Sequence, residues 1–585
     1  MFRTPALLSL FSACLVWLTL GCDPALPSPP LTRNLDLEAL EVAVRFDDPT
    51  PVVVMNLANQ YLATGRNREG HAYFCERARK VPSRALFTAL CGVFQARTAA
   101  QVPLLQRIAW VEEALAKLDR AAQQDGLSRY LRGVTCAALP ARFERARQAQ
   151  ADLEWVIEHA SAFPPGLMRG AQHSLRVARG EVKADEPSFV TNFSVNARDG
   201  FRFVRPELVE PAPGVFVARG YDFADIAFVV TEDGVVVVDA GTSEPNAASA
   251  LAAFRKVSQA PIRKVILTPA HWDHVGGART LAAGGAEIVA QSGFAAELAR
   301  ASAAPAPFRF FFGDHTPTTL EVHPQHLVEK PEPLIVGGTR FDLYPARGGE
   351  TEDALLIHLP ERGVLFVGDA FMPYFGAPFI GEGSVDGLLD TIALVRSLEP
   401  TLLVHGHPPL TENFPIAVLP ALEEAIRTLQ KDTLAALRAG RPLADALTFD
   451  LMPASLAHHP QAVLPFVLMR ENLVKRLYQQ RTGYWQTDGE GIEVFSRTEQ
   501  AAALDLVAGG SVDTLSRAIS TLIDRGDLAL ALRLADLALA SHPSHPDLVA
   551  ARSRALTGLR LKHQFNPFKF IVYSELSGSA LAPPP

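Results

Sequence analysis

A short run of histidine and aspartate directly after an apolar segment constrains this chain of 585 residues more than any other feature. The strand-like segment Lys264-Val-Ile-Leu267 leads into Thr268-Pro-Ala-His-Trp-Asp-His-Val-Gly-Gly277, which holds His271, Asp273 and His274. Their spacing is too short for one face of a helix, but a loop can turn all three side chains toward one ion. Imidazole nitrogen and carboxylate oxygen are zinc ligands, and a catalytic zinc keeps one position open for water. Taken alone, the cluster fits a polar surface loop equally well, because short motifs match by chance.

Three later segments each place a candidate metal ligand at the end of an apolar run or between two such runs. They are Arg347-Gly-Gly-Glu-Thr-Glu-Asp353, Val364-Leu-Phe-Val-Gly-Asp369 and Leu402-Leu-Val-His-Gly-His407. Each residue has an ordinary alternative: Glu350 as a turn carboxylate, Asp369 as a helix cap and His407 as a loop residue before proline. Taken one at a time, these alternatives are at least as good as a metal ligand, so the three segments alone leave the choice open.

The first cluster resembles the signature of the metallo-β-lactamase superfamily, Thr-His-x-His-x-Asp-His-x-Gly-Gly. Six positions match it: Thr268, His271, Asp273, His274, Gly276 and Gly277. Pro269 stands where the family has its first histidine. The resemblance implies a four-layer αββα sandwich. Strand-like runs at 214–218, 226–230 and 235–239, followed by a helical segment at 247–257, fit that α/β fold.

Two further stretches resemble the alkylsulfatase branch of this superfamily, namely Ala218-Arg-Gly-Tyr-Asp-Phe-Ala-Asp-Ile-Ala-Phe228 and Asp239-Ala-Gly-Thr-Ser243. Glu350 agrees with that branch, which has glutamate where most members have a histidine ligand. Asp369 is the general superfamily choice, whereas alkylsulfatases tend to carry glutamate there. The resemblance covers about residues 201–578 and leaves the N-terminal helices outside it.

The resemblance assigns six metal ligands: His271, Asp273, His274, Glu350, Asp369 and His407. The family's first metal site would retain His271 and Glu350 only, because Pro269 has no side-chain donor and its ring fixes φ. The second site keeps Asp273, His274 and His407, with Asp369 as a fourth ligand, and three or four such ligands suffice for a catalytic zinc. We therefore predict one tightly bound zinc ion at the second site and an impaired first site.

Zinc lowers the pKa of a bound water to about 7, so a metal-bound hydroxide would be the nucleophile at neutral pH. Asp273 would both bind the metal and orient this water, which makes it the predicted catalytic residue. Hydrolysis of an ester-like bond in a small molecule follows, and the alkylsulfatase resemblance favours a sulfate ester. Two alternatives stay open: a lactonase or carboxylic esterase, and an envelope-anchored scaffold or binding protein with a degenerate metallo-β-lactamase domain.

Helical regions flank the sandwich, which we expect at residues 200–412 after a polar linker at 181–199. Residues 37–180 are helical throughout, and several keep spacings that resemble a tetratricopeptide repeat: Leu57, Tyr61, Gly65, Gly70, Phe74 and Pro82. Stacked helix pairs present a concave surface, so this region is either a protein-binding surface or a structural cap. Residues 413–498 are a helical extension. Residues 499–580 resemble the alkylsulfatase dimerisation domain and predict a homodimer, since a short helical repeat cannot bury its own apolar face.

Residues 1–22 are typical of a bacterial lipoprotein signal peptide. Arg3 precedes an apolar run that ends in Thr19-Leu-Gly-Cys22, which is similar to a lipobox, and a plain secretory signal is the alternative. Cys22 is the expected lipidation site, and the proline-rich residues 23–36 form a tether. We therefore expect an exported, lipid-anchored protein of the bacterial cell envelope, at the periplasmic face or in the outer membrane.

The net charge limits the class of binding partner, and the cysteines bear on the redox compartment. The net charge of −8 and the lack of a basic run argue against a nucleic-acid partner. An exported location permits a disulfide between Cys75 and Cys91, which lie on neighbouring predicted helices, and two buried free thiols are the alternative.

Overall fold

The computed structural model describes residues 31–46, 48–184, 189–196, 200–303, 320–372, 383–447, 452–486 and 488–578. Cys22 and the predicted signal peptide lie outside the described residues. The chain folds into a two-sheet sandwich with helical regions before and after it, which confirms the predicted fold class.

The N-terminal helical region consists of eight α-helices among the described residues: α1 Leu35–Arg45, α2 Pro51–Ala63, α3 Asn67–Lys80, α4 Ala85–Arg97, α5 Arg107–Ala121, α6 Gly126–Ala137, α7 Ala146–Glu158 and α8 Leu167–Ala178. Cys75 and Cys91 form a disulfide between α3 and α4, so the thiol alternative is wrong for this pair. The rings of Phe74 and Phe94 stack with their centroids 5.5 Å apart and hold the same two helices together. The bond also removes these sulfurs from any metal site with the nearby His71.

The sandwich is built from two mixed sheets, each with antiparallel and parallel strand pairs. A small hairpin of β1 and β2 precedes it. The strands are β1 Ser194–Asn196, β2 Gly200–Arg202, β3 Glu207–Ala212, β4 Val215–Arg219, β5 Ile226–Val230, β6 Val235–Val238, β7 Ile262–Ile266, β8 Glu287–Gln291, β9 His326–Val328, β10 Glu332–Val336, β11 Thr339–Ala346, β12 Ala354–Leu359, β13 Val364–Gly368 and β14 Leu402–His405. The first sheet has the order β3-β4-β5-β6-β7-β8-β9 and the second the order β10-β11-β12-β13-β14.

Helices cover the outer face of each sheet. They are α9 Glu244–Phe254, α10 Trp272–Val275, α11 Ala278–Leu281, α12 Phe294–Ala303 and α13 Val385–Ser397. Along β6, Val236 and Val238 pack toward the second sheet, whereas Val235 and Val237 share a core with Phe254 of α9. Burial on both faces explains why this strand is an unbroken valine run rather than an alternating one.

The C-terminal helical region returns to the N-terminal one. Its helices are α14 Pro408–Asn413, α15 Leu419–Arg438, α16 Leu443–Ala446, α17 Pro460–Thr482, α18 Arg497–Val507, α19 Val512–Arg525, α20 Leu528–Ser541, α21 Pro546–Lys562 and α22 Pro567–Ser577. Helix α21 packs against α2, where Gln60 Nε2 donates to the Lys562 carbonyl at 2.7 Å. Part of the surface of these C-terminal helices is therefore covered within the chain, which weakens one of the two grounds for the predicted dimer.

Two stretches that were predicted to be irregular are ordered. Leu31 and Thr32, in the predicted tether, donate their backbone N–H groups to the Asp527 carboxylate at 2.8 and 3.0 Å, and α1 begins at Leu35. The predicted linker ends in β1, which pairs antiparallel with β2. Phe193 and Val195 draw it into the fold, because both are buried in an apolar cluster with residues of α22. Among the described residues, no helix is long and apolar enough to cross a bilayer.

Candidate metal centre

All six predicted ligands lie together where strands of both sheets end. The chain leaves β7 at Ile266 and turns so that His271 forms the N-cap of α10. Asp273 and His274 lie within α10, so the predicted loop is in fact a one-turn helix. Gly276 and Gly277 then join α10 to α11, and both have ordinary negative φ. They are needed for close packing, because a Cβ on Gly276 would lie 1.9 Å from the Thr242 carbonyl oxygen.

The other three ligands come from the second sheet. Glu350 lies in the loop between β11 and β12, Asp369 follows β13, and His407 follows β14. Because β13 and β14 are parallel, their carboxyl ends deliver Asp369 and His407 to the same edge. The six side chains are between 0% and 5% exposed.

The first of two donor groups contains Asp273, His274, Asp369 and His407. His407 Nε2 lies 3.4 Å from Asp273 Oδ2 and 3.4 Å from Asp369 Oδ1. His274 Nε2 lies 3.7 Å from Asp273 Oδ2 and 2.9 Å from Asp369 Oδ2. Ligands held about 2.0–2.1 Å from a tetrahedral zinc are about 3.4 Å apart, so these residues fit the ion.

The second group contains His271, Glu350 and Asp369. His271 Nδ1 lies 3.6 Å from Glu350 Oε2 and 3.7 Å from Asp369 Oδ2. Asp369 is thus shared by both groups. The sequence count of two donors for the impaired site omitted this shared carboxylate, and the structure brings three donors together there.

Unpaired polar atoms in the cluster also indicate a cation. His271 Nε2, Glu350 Oε2, Asp369 Oδ1 and His407 Nε2 are buried without a hydrogen-bond partner among the described residues. Such atoms are rare in native proteins, because burying an unpaired polar group costs free energy. A bound metal ion would give a partner to Glu350 Oε2, Asp369 Oδ1 and His407 Nε2, the three of these atoms that face another donor of the cluster.

The protonation of the cluster points the same way. Burial raises the pKa of the Glu350 carboxyl well above its usual value, and the carboxylates of Asp369 and Asp273 raise it further. Burial opposes a charged His274, but the carboxylates of Asp369, Asp239 and Asp273 raise the pKa of this imidazole well above its usual value. Protons are therefore retained where negative charge is concentrated, and a divalent cation can replace them.

Asp239 positions His274. His274 Nδ1 donates to Asp239 Oδ2 at 2.9 Å, which leaves Nε2 to face the centre. Thr268 donates to the same carboxylate from its backbone N at 2.8 Å and from Oγ1 at 2.7 Å. Sequence reasoning gave Asp239 no role, although it follows an apolar strand in the same way as Asp369, and that parallel was the available signal.

Two other contacts hold the ligand loops. His407 Nδ1 donates to the Phe223 carbonyl at 3.0 Å, so its Nε2 is the atom that faces the centre. Asp353, also missed, accepts from the Ala270 N–H at 2.9 Å and from Thr351 Oγ1 at 2.5 Å. His405, predicted to be a neighbour and not a ligand, instead contacts the Phe414 carbonyl at 3.1 Å.

Glycines let two ligand loops pass directly beside the cluster. A Cβ on Gly406 would lie 2.4 Å from Asp369 Oδ1 and 2.6 Å from His274 Cε1. Gly368 has φ of +50°, and its Cβ would lie 2.4 Å from Thr268 Oγ1. Each glycine directly precedes a ligand, so the side-chain-free backbone is what allows Asp369 and His407 to approach the first sheet.

The comparisons with known proteins agree with this architecture. Residues 219–407 match the family model of the metallo-beta-lactamase superfamily. An (R)-specific secondary-alkylsulfatase of Pseudomonas sp. is 23% identical over 69% of this chain and 68% of its own length. A linear primary-alkylsulfatase of Pseudomonas sp. is 21% identical over 56% of this chain and 68% of its own length.

A solved structure, that of a stereoselective inverting sec-alkylsulfatase from Pseudomonas sp., has a TM-score of 0.55 and 21% identity, over 64% of this chain and 66% of that one. The chain thus spans about two thirds of the length of these relatives. The fold, the metal-ligand cluster and the family match place residues 219–407 in the metallo-β-lactamase superfamily, and the chain is similar to the alkylsulfatases of that superfamily, with helical regions before and after the matched domain. It is a metal-dependent hydrolase.

We expect Asp239→Asn to weaken zinc binding by about 10–100-fold, the usual effect of removing a carboxylate that orients a histidine ligand. Asparagine tolerates the positive φ of 61° at this position but offers one acceptor oxygen instead of two. Competition with a chromogenic chelator measures the affinity. Asp233→Asn, an exposed change in the turn before the same strand, is the control, and equal affinities for both variants would contradict the role of Asp239.

Proposed function

We propose that this protein is a zinc-dependent hydrolase of sulfate esters. The observation that carries the proposal is the buried set of nitrogen and oxygen donors at the spacing that zinc requires, in a chain similar to alkylsulfatases. Carboxylates and imidazoles without thiolates suit zinc, and the open side of a three- or four-donor group leaves room for water and substrate.

The residues of the cluster divide the work of hydrolysis. A bound zinc ion supplies Lewis acidity and lowers the pKa of water to about 7. Asp273 orients the attacking water by accepting a hydrogen bond from it. Asp239 and the Phe223 carbonyl hold His274 and His407 in the tautomers that turn Nε2 inward. The apolar surroundings of Phe223 and Trp272, whose ring centroids are 5.7 Å apart, exclude bulk water.

We further propose that the group around His407 holds the tighter ion. It has four donors, two imidazoles and two carboxylates, whereas the group around His271 has three and shares Asp369. Pro269 supplies no donor to replace the missing imidazole. The His271 group therefore binds its ion more weakly.

Turnover of a substrate panel tests the function. We expect linear alkyl sulfates to be hydrolysed in preference to carboxylic esters and lactones. His274→Ala should lower kcat/KM by more than about 100-fold, because it removes a direct ligand and not only its support. His323→Ala, an exposed histidine of the same domain, is the control.

Other outcomes of this panel select the alternatives. Preference for carboxylic esters or lactones would replace the sulfatase assignment with an esterase or lactonase. No bound metal together with no turnover would support the scaffold.

Metal analysis after dialysis tests the occupancy. We expect one tightly held zinc ion per unmodified chain and a second one in Pro269→His, which restores an imidazole beside His271. Pro261→His, at the opposite end of β7, is the matched control and should keep one ion. Two tightly held ions in the unmodified chain would overturn the proposal.

We propose that the chain forms a homodimer through an apolar surface between residues 484 and 507. Its side chains are strongly exposed: Tyr484, Trp485, Ile492, Val494, Phe495, Leu506 and Val507. Monomeric proteins rarely expose so much apolar surface in one stretch.

Light scattering on a form lacking residues 1–22 tests the assembly. We expect a dimer for the unmodified sequence and a monomer for the double change Val494→Ser and Phe495→Ser, because polar side chains remove the gain from apolar burial. Val257→Ser, an exposed apolar residue on the sandwich, should leave the dimer intact. A monomer at high concentration for all forms counts against the surface.

We propose that the protein is located in the bacterial cell envelope and carries lipid on Cys22. The Cys75–Cys91 disulfide supports an oxidising, exported location. Mass spectrometry of the N-terminal peptide tests it, and an unmodified peptide beginning elsewhere argues against it.

A further inference from the structure

A cavity of about 610 Å³ opens beside the metal centre. This volume is that of a typical small-molecule site. His407 and Phe223 line it, so an occupant would contact His407, one of the proposed zinc ligands.

The walls of the cavity are mainly apolar and aromatic. Phe203 lies with its ring centroid 6.2 Å from that of His407, and Phe223 lies 4.3 Å from the same imidazole. Helix α17 adds Leu464 and Leu468. An apolar group attached to a bond under hydrolysis could therefore extend from His407 along these apolar walls.

One wall comes from the N-terminal helical region, which lies outside the resemblance to alkylsulfatases. Thr50 and Val52 contribute from the start of α2, and residues 161–165, including Phe163, contribute from the segment before α8. Metallo-β-lactamase similarity covers residues 219–407, so these positions lie outside the matched domain.

The wall segment is fixed to the sandwich by close packing. A Cβ on Gly166 would lie 1.5 Å from Thr191 Oγ1 and 2.6 Å from the Phe193 carbonyl oxygen, so the two backbones touch. Phe193 in turn lies edge-to-face with Phe203, with ring centroids 6.3 Å apart. The segment before α8 is thus connected through Phe193 and Phe203 to the ring of His407.

The whole region is also held in place by a shared core. Apolar side chains of α1 to α8 belong to the same buried cluster as those of α13, α15 and α17. A wall anchored in this way has a fixed position relative to the metal ligands, and its side chains can therefore limit what the cavity admits.

We infer that the N-terminal helical region is part of the substrate site, and that Phe163 limits the length of the apolar group that the enzyme accepts. The inference rests on the proposed function for the reacting bond and deepens it by naming the part of the chain that selects among alkyl groups of different length. It gives the added helices a role in specificity within the chain.

The test compares Phe163→Trp and Phe163→Ala with the unmodified protein on linear primary alkyl sulfates of increasing length. Each buried methylene contributes about 0.8 kcal/mol, or about fourfold in affinity. Phe163→Trp should raise KM for the longest substrates by about fourfold for every methylene it displaces, with a smaller effect on shorter ones. Phe163→Ala should shift the preferred length upward.

Phe143→Ala and Phe143→Trp are the matched controls, because Phe143 is a half-buried phenylalanine of the same region that does not line the cavity. They should leave the length preference unchanged. Calorimetric binding of linear primary alcohols, the products of such hydrolysis, is measured on every variant in parallel.

The two readouts separate the two proposals. If no variant turns over sulfate esters but the Phe163 variants change alcohol binding in a length-dependent way, the sulfatase function is rejected. The role of Phe163 in the cavity is then supported. Sulfate turnover with the same length preference in all variants would contradict the role of Phe163 and leave the sulfatase function supported. Alcohols that bind at no length, or that bind alike in the Phe163 and Phe143 variants, would also overturn the inference.

Discussion

The structure depends on one electrostatic constraint, which is the burial of three carboxylates beside three imidazoles at the ends of its strands. Asp273, Glu350 and Asp369 are each under 5% exposed, and unpaired negative charge at such depth costs several kcal/mol per group. Protons retained on Glu350 and His274 offset part of this unfavourable free energy. A divalent cation would offset more of it, because its ligands are already arranged at tetrahedral spacing. The sandwich thus presents a preformed metal centre whose stability and chemistry have the same origin.

Convergence of the ligands follows from the way the two sheets meet. Asp239 and His271 come from the ends of β6 and β7, and Asp369 and His407 from the ends of β13 and β14, and each of these strand pairs is parallel. Parallel neighbouring strands have their carboxyl ends at the same edge of a sheet. The residues that directly follow these strands therefore lie close together. Gly368 and Gly406 then allow the backbone of one sheet to approach the ligands of the other. Asp369 is reached from both sides, and the two donor groups are therefore coupled through one carboxylate.

The added helices are integrated into the molecule. Helix α2 packs on α21 near the chain's other end, Asp527 holds Leu31 and Thr32, and one apolar core runs from α1 to the helices behind the second sheet. Such an arrangement removes the independence that a separate repeat domain would have. It also explains how residues before α8 come to line a cavity beside His407. The exposed apolar residues between 484 and 507 are the surface that this packing leaves uncovered.

The sequence by itself determined the class of fold, the strands and, through the resemblance to the metallo-β-lactamase superfamily, the identity of six ligands, because the motifs that carry this resemblance are local. A valine run predicts a doubly buried strand, and a histidine or aspartate at its end is visible without coordinates. It also showed that Pro269 removes one donor. Only the tertiary structure decided that Asp239 orients His274 from 35 residues away and that Phe163 lies on a wall of the cavity beside His407. These relations join segments distant in the chain, and no periodicity or spacing records them, since they arise only when packing brings the segments together.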